Sequence, residues 1–144
     1  MNVYCLMHFH GETADVYGDA KWLGCFSSLE AVKEAKARYL TLPGFGEYPE
    51  GFCVIEREIS GEFNANCENV YLSEVYIHDD RYSFEYELFI GLFGTQLLAE
   101  ESMAKFQKQN SSFAFRNGKE LVVECFVSRC KLNQMEWREG FDAD

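Results

Sequence analysis

The chain has 144 residues, 47% of them hydrophobic and 16% aromatic, enough for the core of one medium domain or two very small ones. Its formal net charge of −11 repels nucleic acid and favours a basic partner. No stretch reaches the roughly 20 apolar residues that span a bilayer. The opening "MNVYCLMHFHGE" lacks the basic region and small-residue cleavage site of a secretory signal, so a cytoplasmic protein is expected.

Residues 2–10 are rich in β-formers and apolar on both alternating faces, which predicts a strand inside a sheet. "GETADVYGD" (11–19) is an acidic, turn-rich connection, and "AKWLGCF" (20–26) is the second strand of a hairpin. Ser27 or Ser28 then caps a helix whose apolar stripe is Val32, Ala35 and Tyr39, with Lys33, Glu34 and Arg38 facing out. "LPGFGEYPEGF" (42–52) holds both prolines of the chain. Pro43 and Gly44 stop the helix, Pro49 and Gly51 set a second turn, and Phe45, Tyr48 and Phe52 fold back as a plug. A third strand follows at 52–59.

The second half repeats this order. Shifted by 67 residues, "NVYCLMHFH" falls on "NVYLSEVYI" (69–77), and "KWLGCFSSLEAVKEAKARY" falls on "LFIGLFGTQLLAEESMAKF" (88–106). Asn2/Asn69, Val3/Val70, Tyr4/Tyr71, Gly24/Gly91 and Phe26/Phe93 are identical, and Ser28 becomes Thr95 at the cap. At an offset of 68, "CVIEREIS" falls on "LVVECFVS" (121–128). The expected fold is therefore α+β: two tandem strand–strand–helix–strand repeats, 1–67 with its linker and 68–144, with antiparallel sheet, helices on one face and a pseudo-twofold axis. In the second copy Leu98, Ala99, Met103 and Phe106 form the helix stripe. The last strand is placed at 120–127, and "QNSSFAFRNGKE" (109–120) takes the place of the plug.

The first half, through "AKWLGCFSSLEAVKEAKARY" and above all "LPGFGEYPEGF", resembles a widespread family of small bacterial domains. Members of that family run as strand, "LIGxFSSxExA", "LPGFxxYPxGF", strand, and finish with a tryptophan followed by "xEGF". Here "WREGF" (137–141) closes the second copy instead. The family carries no established activity. In style its small acidic members are similar to bacterial immunity proteins, which neutralise toxins.

Motifs for chemistry are sparse. His8 and His10 share a strand face, but no third and fourth ligand accompanies them, so no metal is expected. The six cysteines form no CxxC pair and are expected to be free thiols. Glu56 and Glu58 share a face, yet only Glu56 recurs, as Glu124, while Glu58 gives way to Phe126, so a solvated strand face is the expectation. There is no P-loop, no GxGxxG after a strand and no GxSxG elbow. Neither catalysis nor a cofactor is expected.

The remaining signal is surface character. Acidic residues interleave with aromatic ones at the hairpin connections, a pattern suited to gripping a basic protein. The expected contacts are Asp79, Asp80, Tyr82, Glu85 and Glu87, then Glu12, Asp15 and Asp19, with Glu47 and Tyr48 at the tip of the plug. The sequence thus points to an acidic inhibitor of a basic effector, foremost a toxin domain. The alternatives are a phage-encoded inhibitor of a host defence protein, a small-ligand binder or enzyme using a groove between the copies, and a homodimerising module.

Overall fold

The structure, a computed structural model, describes residues 1–10, 21–62, 68–81, 83–110, 115–116 and 118–141. It is an α+β protein that divides into two compact units, Met1–Glu58 with Lys131–Asp144, and Ile59–Cys130. Among the described residues no helix is long and apolar enough to cross a membrane.

In the first unit β1 (Asn2–His8) lies between β2 (Lys21–Phe26) and β3 (Phe52–Ser60), antiparallel to both. Val3, Cys5 and Leu6 are all fully buried, as the two-faced apolar pattern of an interior strand requires. Helix α1 (Leu29–Tyr39) starts where the Ala31 N–H donates to Ser28 Oγ (3.1 Å), and it buries the stripe Val32, Ala35 and Tyr39. Its last carbonyls are taken by Leu40, Thr41 and Leu42 N–H groups before Pro43 is reached.

The plug then turns inward. Phe45 is fully buried, with ring centroids of Phe141 at 4.8 Å, Tyr39 at 4.9 Å, His8 at 5.0 Å and Trp137 at 6.2 Å. Pro49–Gly51 forms a short 3-10 turn that leads into β3. Two of those rings, Trp137 and Phe141, come from the end of the chain. The segment after Lys131 returns to the first unit as a strap along β2: the Asn133 N–H donates to the Cys25 carbonyl (2.8 Å) and the Glu136 N–H to the Leu23 carbonyl (3.0 Å). The strap ends at the plug, where the Phe141 N–H donates to the Pro43 carbonyl (2.9 Å). Gly44 sits there at φ 83°, and a Cβ on it would lie 2.5 Å from the Phe141 carbonyl oxygen. So "WREGF" (137–141) packs on the first unit, with Trp137 and Phe141 against the cluster that holds Phe45 and Leu42.

Burial also explains how the strap is anchored. Tyr39 is fully buried; its hydroxyl donates to the Leu23 carbonyl (2.9 Å) and accepts from the Trp137 N–H (3.3 Å). One side chain therefore ties α1, β2 and the strap together.

In the second unit β4 (Asn69–His78) pairs antiparallel with β5 (Glu85–Phe93), and β8 (Val122–Lys131) lies on its other side. The last residues of β3, Ile59 and Ser60, run parallel to Leu92 and Phe93 of β5. Helix α2 (Gln96–Gln109) is capped by Thr95, whose hydroxyl oxygen accepts from the Leu98 N–H (3.2 Å), and it buries Ala99 and Met103. Met103 packs with Val75, Ile77 and Leu121, and half-buried Leu88, Ile90, Phe106, Val123 and Cys125 complete the cluster. Ser73 Oγ donates to the Ala99 carbonyl (3.0 Å), which fixes the helix on this face of the strands. β6 (Phe115–Arg116) and β7 (Lys119–Glu120) form a small ladder ahead of β8. β8 outruns the expected strand because "SRCK" keeps the extended pairing and buries Cys130. The connection 11–19, Phe113 and Asn117 lie outside the described residues.

Tyr39→Phe leaves the Leu23 carbonyl and the Trp137 N–H without their shared partner in a buried site. Urea denaturation should show a loss of about 1–3 kcal/mol with little change in slope.

Candidate functional site

The register of β4 and β5 sorts their side chains onto two faces. Val75 opposes Leu88 and Ile77 opposes Tyr86; these rows belong to the α2 face. Glu74 opposes Phe89, Tyr76 opposes Glu87 and His78 opposes Glu85, so these six residues share the opposite face. β8 extends that face, because Val123 and Cys125 pack toward α2 while His78 Nε2 stands 3.4 Å from Glu124 Oε2. Val122 and Phe126, on the same parity as Glu124, are 43% and 48% exposed.

The result is an open strand face with four carboxylates, Glu74, Glu85, Glu87 and Glu124, set among Tyr76, Phe89, Val122 and Phe126. No lysine or arginine stands in these rows. His78 is buried; its Nδ1–H donates to the Asp79 carbonyl (2.8 Å), and its ring lies 5.0 Å from that of Tyr76. Tyr76 donates its hydroxyl proton to Glu85. Burial pushes the Glu74 carboxyl above its ordinary range, and the charge of Glu87 adds to the shift. A partially desolvated carboxylate beside a second one lacks the countercharge that would stabilise both.

The residues named from sequence divide by position. Glu85 and Glu87 are exposed on the open face. Asp79 caps the β4–β5 turn instead: its carboxylate accepts from the Ser83 N–H (2.8 Å) and from the Ser83 hydroxyl. These bonds hold it below the usual carboxylate range. Asp80 is exposed in the same turn and lines a groove of about 840 Å³ together with Arg81, Lys119 and Val122, so cations stand at the turn end of the face. Phe84 is half-buried against the α2 cluster. Tyr82, Glu12, Asp15 and Asp19 lie outside the described residues. Glu47 and Tyr48 belong to the first unit. Glu47 is exposed, but Tyr48 is packed against His10 and supplies its carbonyl to His8.

Sequence reasoning passed over Glu74, Tyr76, Val122, Glu124 and Phe126 as a group. The signal was present: with the two halves aligned, Glu124 falls on Glu56 and Phe126 on Glu58. Only the folded face, where Glu124 stands 3.4 Å from His78, puts that exposed ring among acids.

His8 and His10 do not make a metal pair in the first unit. His8 is fully buried among Phe45, Phe52 and Phe141, and its Nε2–H donates to the Tyr48 carbonyl (2.8 Å). Burial lowers its pKa, so the ring is the neutral Nε2–H tautomer, with Nδ1 unpartnered among the described residues. No group of three or more His, Cys, Asp or Glu gathers as a metal site among the described residues. Cys5 and Cys25 face each other across β1 and β2 as buried thiols, Sγ to Sγ 3.6 Å.

Comparison of the chain with protein-family models, with curated proteins and with solved structures finds no match.

Two opposite pH effects follow. His8 binds a proton more readily unfolded, so between its lowered folded pKa and 6.5 stability falls with falling pH. The slope reaches at most about 1.4 kcal/mol per pH unit. His8→Gln should flatten it in denaturation series across that window. Glu74 has the raised pKa, so its contribution is lost as pH climbs through 4.5 toward the folded value. Glu74→Gln should stabilise the protein at about pH 7 and give no gain at about pH 4.

Proposed function

We propose that this protein is a binding inhibitor, and that it docks a basic protein partner on the open β4–β5–β8 face of its second unit. The observation that carries this reading is the row of Glu85, Glu87 and Glu124 beside exposed Phe126 and Val122, with no lysine or arginine in the same strand rows and Arg81 and Lys119 confined to the turn end. Acids of one sign steer and orient a cationic surface, while an exposed ring surrounded by them supplies the apolar anchor that charge alone lacks. The −11 net charge extends the steering field over the whole chain.

An immunity-type role in the cytoplasm, neutralising a toxin domain, fits this chemistry and the resemblance of the first half. A phage-encoded inhibitor of a host defence protein would use the same face. Binding rather than catalysis is the work assigned to it. The two ββα-β arrangements are read as copies of one ancestral unit, of which the second took on the docking role.

The test is titration calorimetry against the product of the neighbouring gene, at about 0.05 M and about 0.5 M salt. Binding should weaken at the higher salt. Glu87→Lys should slow association and weaken affinity at least about tenfold. Phe126→Ala should cost about 2 kcal/mol, or about thirtyfold in Kd, with the salt dependence unchanged. Salt-insensitive binding, or binding indifferent to both substitutions, would remove this face from the mechanism.

A further inference from the structure

The first unit holds a groove of the opposite electrical character. It lies between α1 and the strap and encloses about 630 Å³, within the roughly 300–1,000 Å³ range of small-molecule sites. Arg38, Lys131 and Arg138 line it, against the single acid Glu34. The chain as a whole has 24 acidic residues to 13 basic ones, so three bases to one acid is a local inversion. Lys21, with Nζ 5.9 Å from the Trp137 ring centroid, adds a further positive charge nearby. Neither Arg38 nor Arg138 has a carboxylate within ion-pair distance among the described residues.

The apolar part of the groove is Phe26, Ala31, Ala35, Leu132, Met135 and Trp137. Its walls are fixed before any ligand arrives. Asn133 turns the strap at φ 63° while its side-chain oxygen accepts from the Ser27 N–H (2.9 Å). The Glu136 and Trp137 N–H groups are held by Leu23 and Tyr39. A ligand entering here orders little backbone, which removes one of the main costs of binding.

We infer that this groove binds a small planar organic anion. The ring system lies on Trp137 and Met135, whose flat and polarisable surfaces suit it. The phosphate or carboxylate is taken by Arg38 and Arg138, whose guanidinium forks match such groups in two-point contact. A nucleoside monophosphate and an aromatic carboxylate share this chemistry. The site is independent of the open face of the second unit, since it uses none of its residues.

The experiment is fluorescence titration of the full chain carrying Trp22→Phe, which leaves Trp137 as the only indole. The probes are adenosine monophosphate, naphthoate, inorganic phosphate and a short oligoglutamate. Saturable change with at least one planar anion, at a Kd below about 1 mM, is expected; which one saturates identifies the source. Arg38→Ala and Arg138→Ala should each weaken it at least about tenfold, whereas Glu87→Lys should leave it unchanged. Calorimetry on the unaltered chain gives the same readout if Trp22→Phe fails to fold. The inference is overturned if neither planar anion saturates, if affinity is indifferent to both arginines, or if inorganic phosphate binds as well as either ring-bearing anion. Tighter binding of oligoglutamate would reassign the groove to an acidic peptide.

Discussion

A buried hydroxyl must have partners, and in the first unit that requirement falls on Tyr39. Its ring is the last apolar contact of α1, and its oxygen lies where water does not reach. The Leu23 carbonyl and the Trp137 N–H satisfy it, so the position of the helix end, the edge of β2 and the course of the strap are set at one atom. Burial also raises the phenol's pKa, which keeps the group protonated and able to donate. Phe45, Trp137 and Phe141 then close around the same ring system. The plug and the strap are thus two halves of one lid on the aromatic core.

Local features were legible in the sequence, because local physics determines them. Ser28 and Thr95 cap their helices through their own hydroxyls, and Val32, Ala35 and Tyr39 recur at the helical period. The two-faced apolar pattern of 2–10 placed β1 inside a sheet. Features that depend on distant partners were not legible. Nothing near Trp137 says that its backbone answers to Tyr39. Asp79 reads as a free carboxylate, but Ser83 lies within its reach and converts it to a turn cap. The open face depends on the register shift between Ser73 and Glu74; a slip of one residue would have turned Glu74 and Tyr76 toward the helix.

Charge is organised more finely than the total suggests. Acids cluster on the open strand face of the second unit, where Glu74 is held partly out of water beside Glu87. Bases gather at the groove of the first unit, Arg38 from α1 beside Glu34, Lys131 from the end of β8 and Arg138 from the strap. Three of the thirteen lysines and arginines gather there, beside the apolar surface of Met135 and Trp137. The two units therefore carry surfaces of opposite electrical character in one short chain.

The strap also bears on how the chain is made. β1, β2 and α1 leave the ribosome before the second unit, yet the rings that seal their core, Trp137 and Phe141, come after all of Ile59–Cys130. At roughly 5–20 residues per second, the aromatic interior of the first unit waits several seconds with one side open. The second unit has its own cluster around Met103 and can consolidate in that interval. The first unit is then finished last, although its strands are made before those of the second.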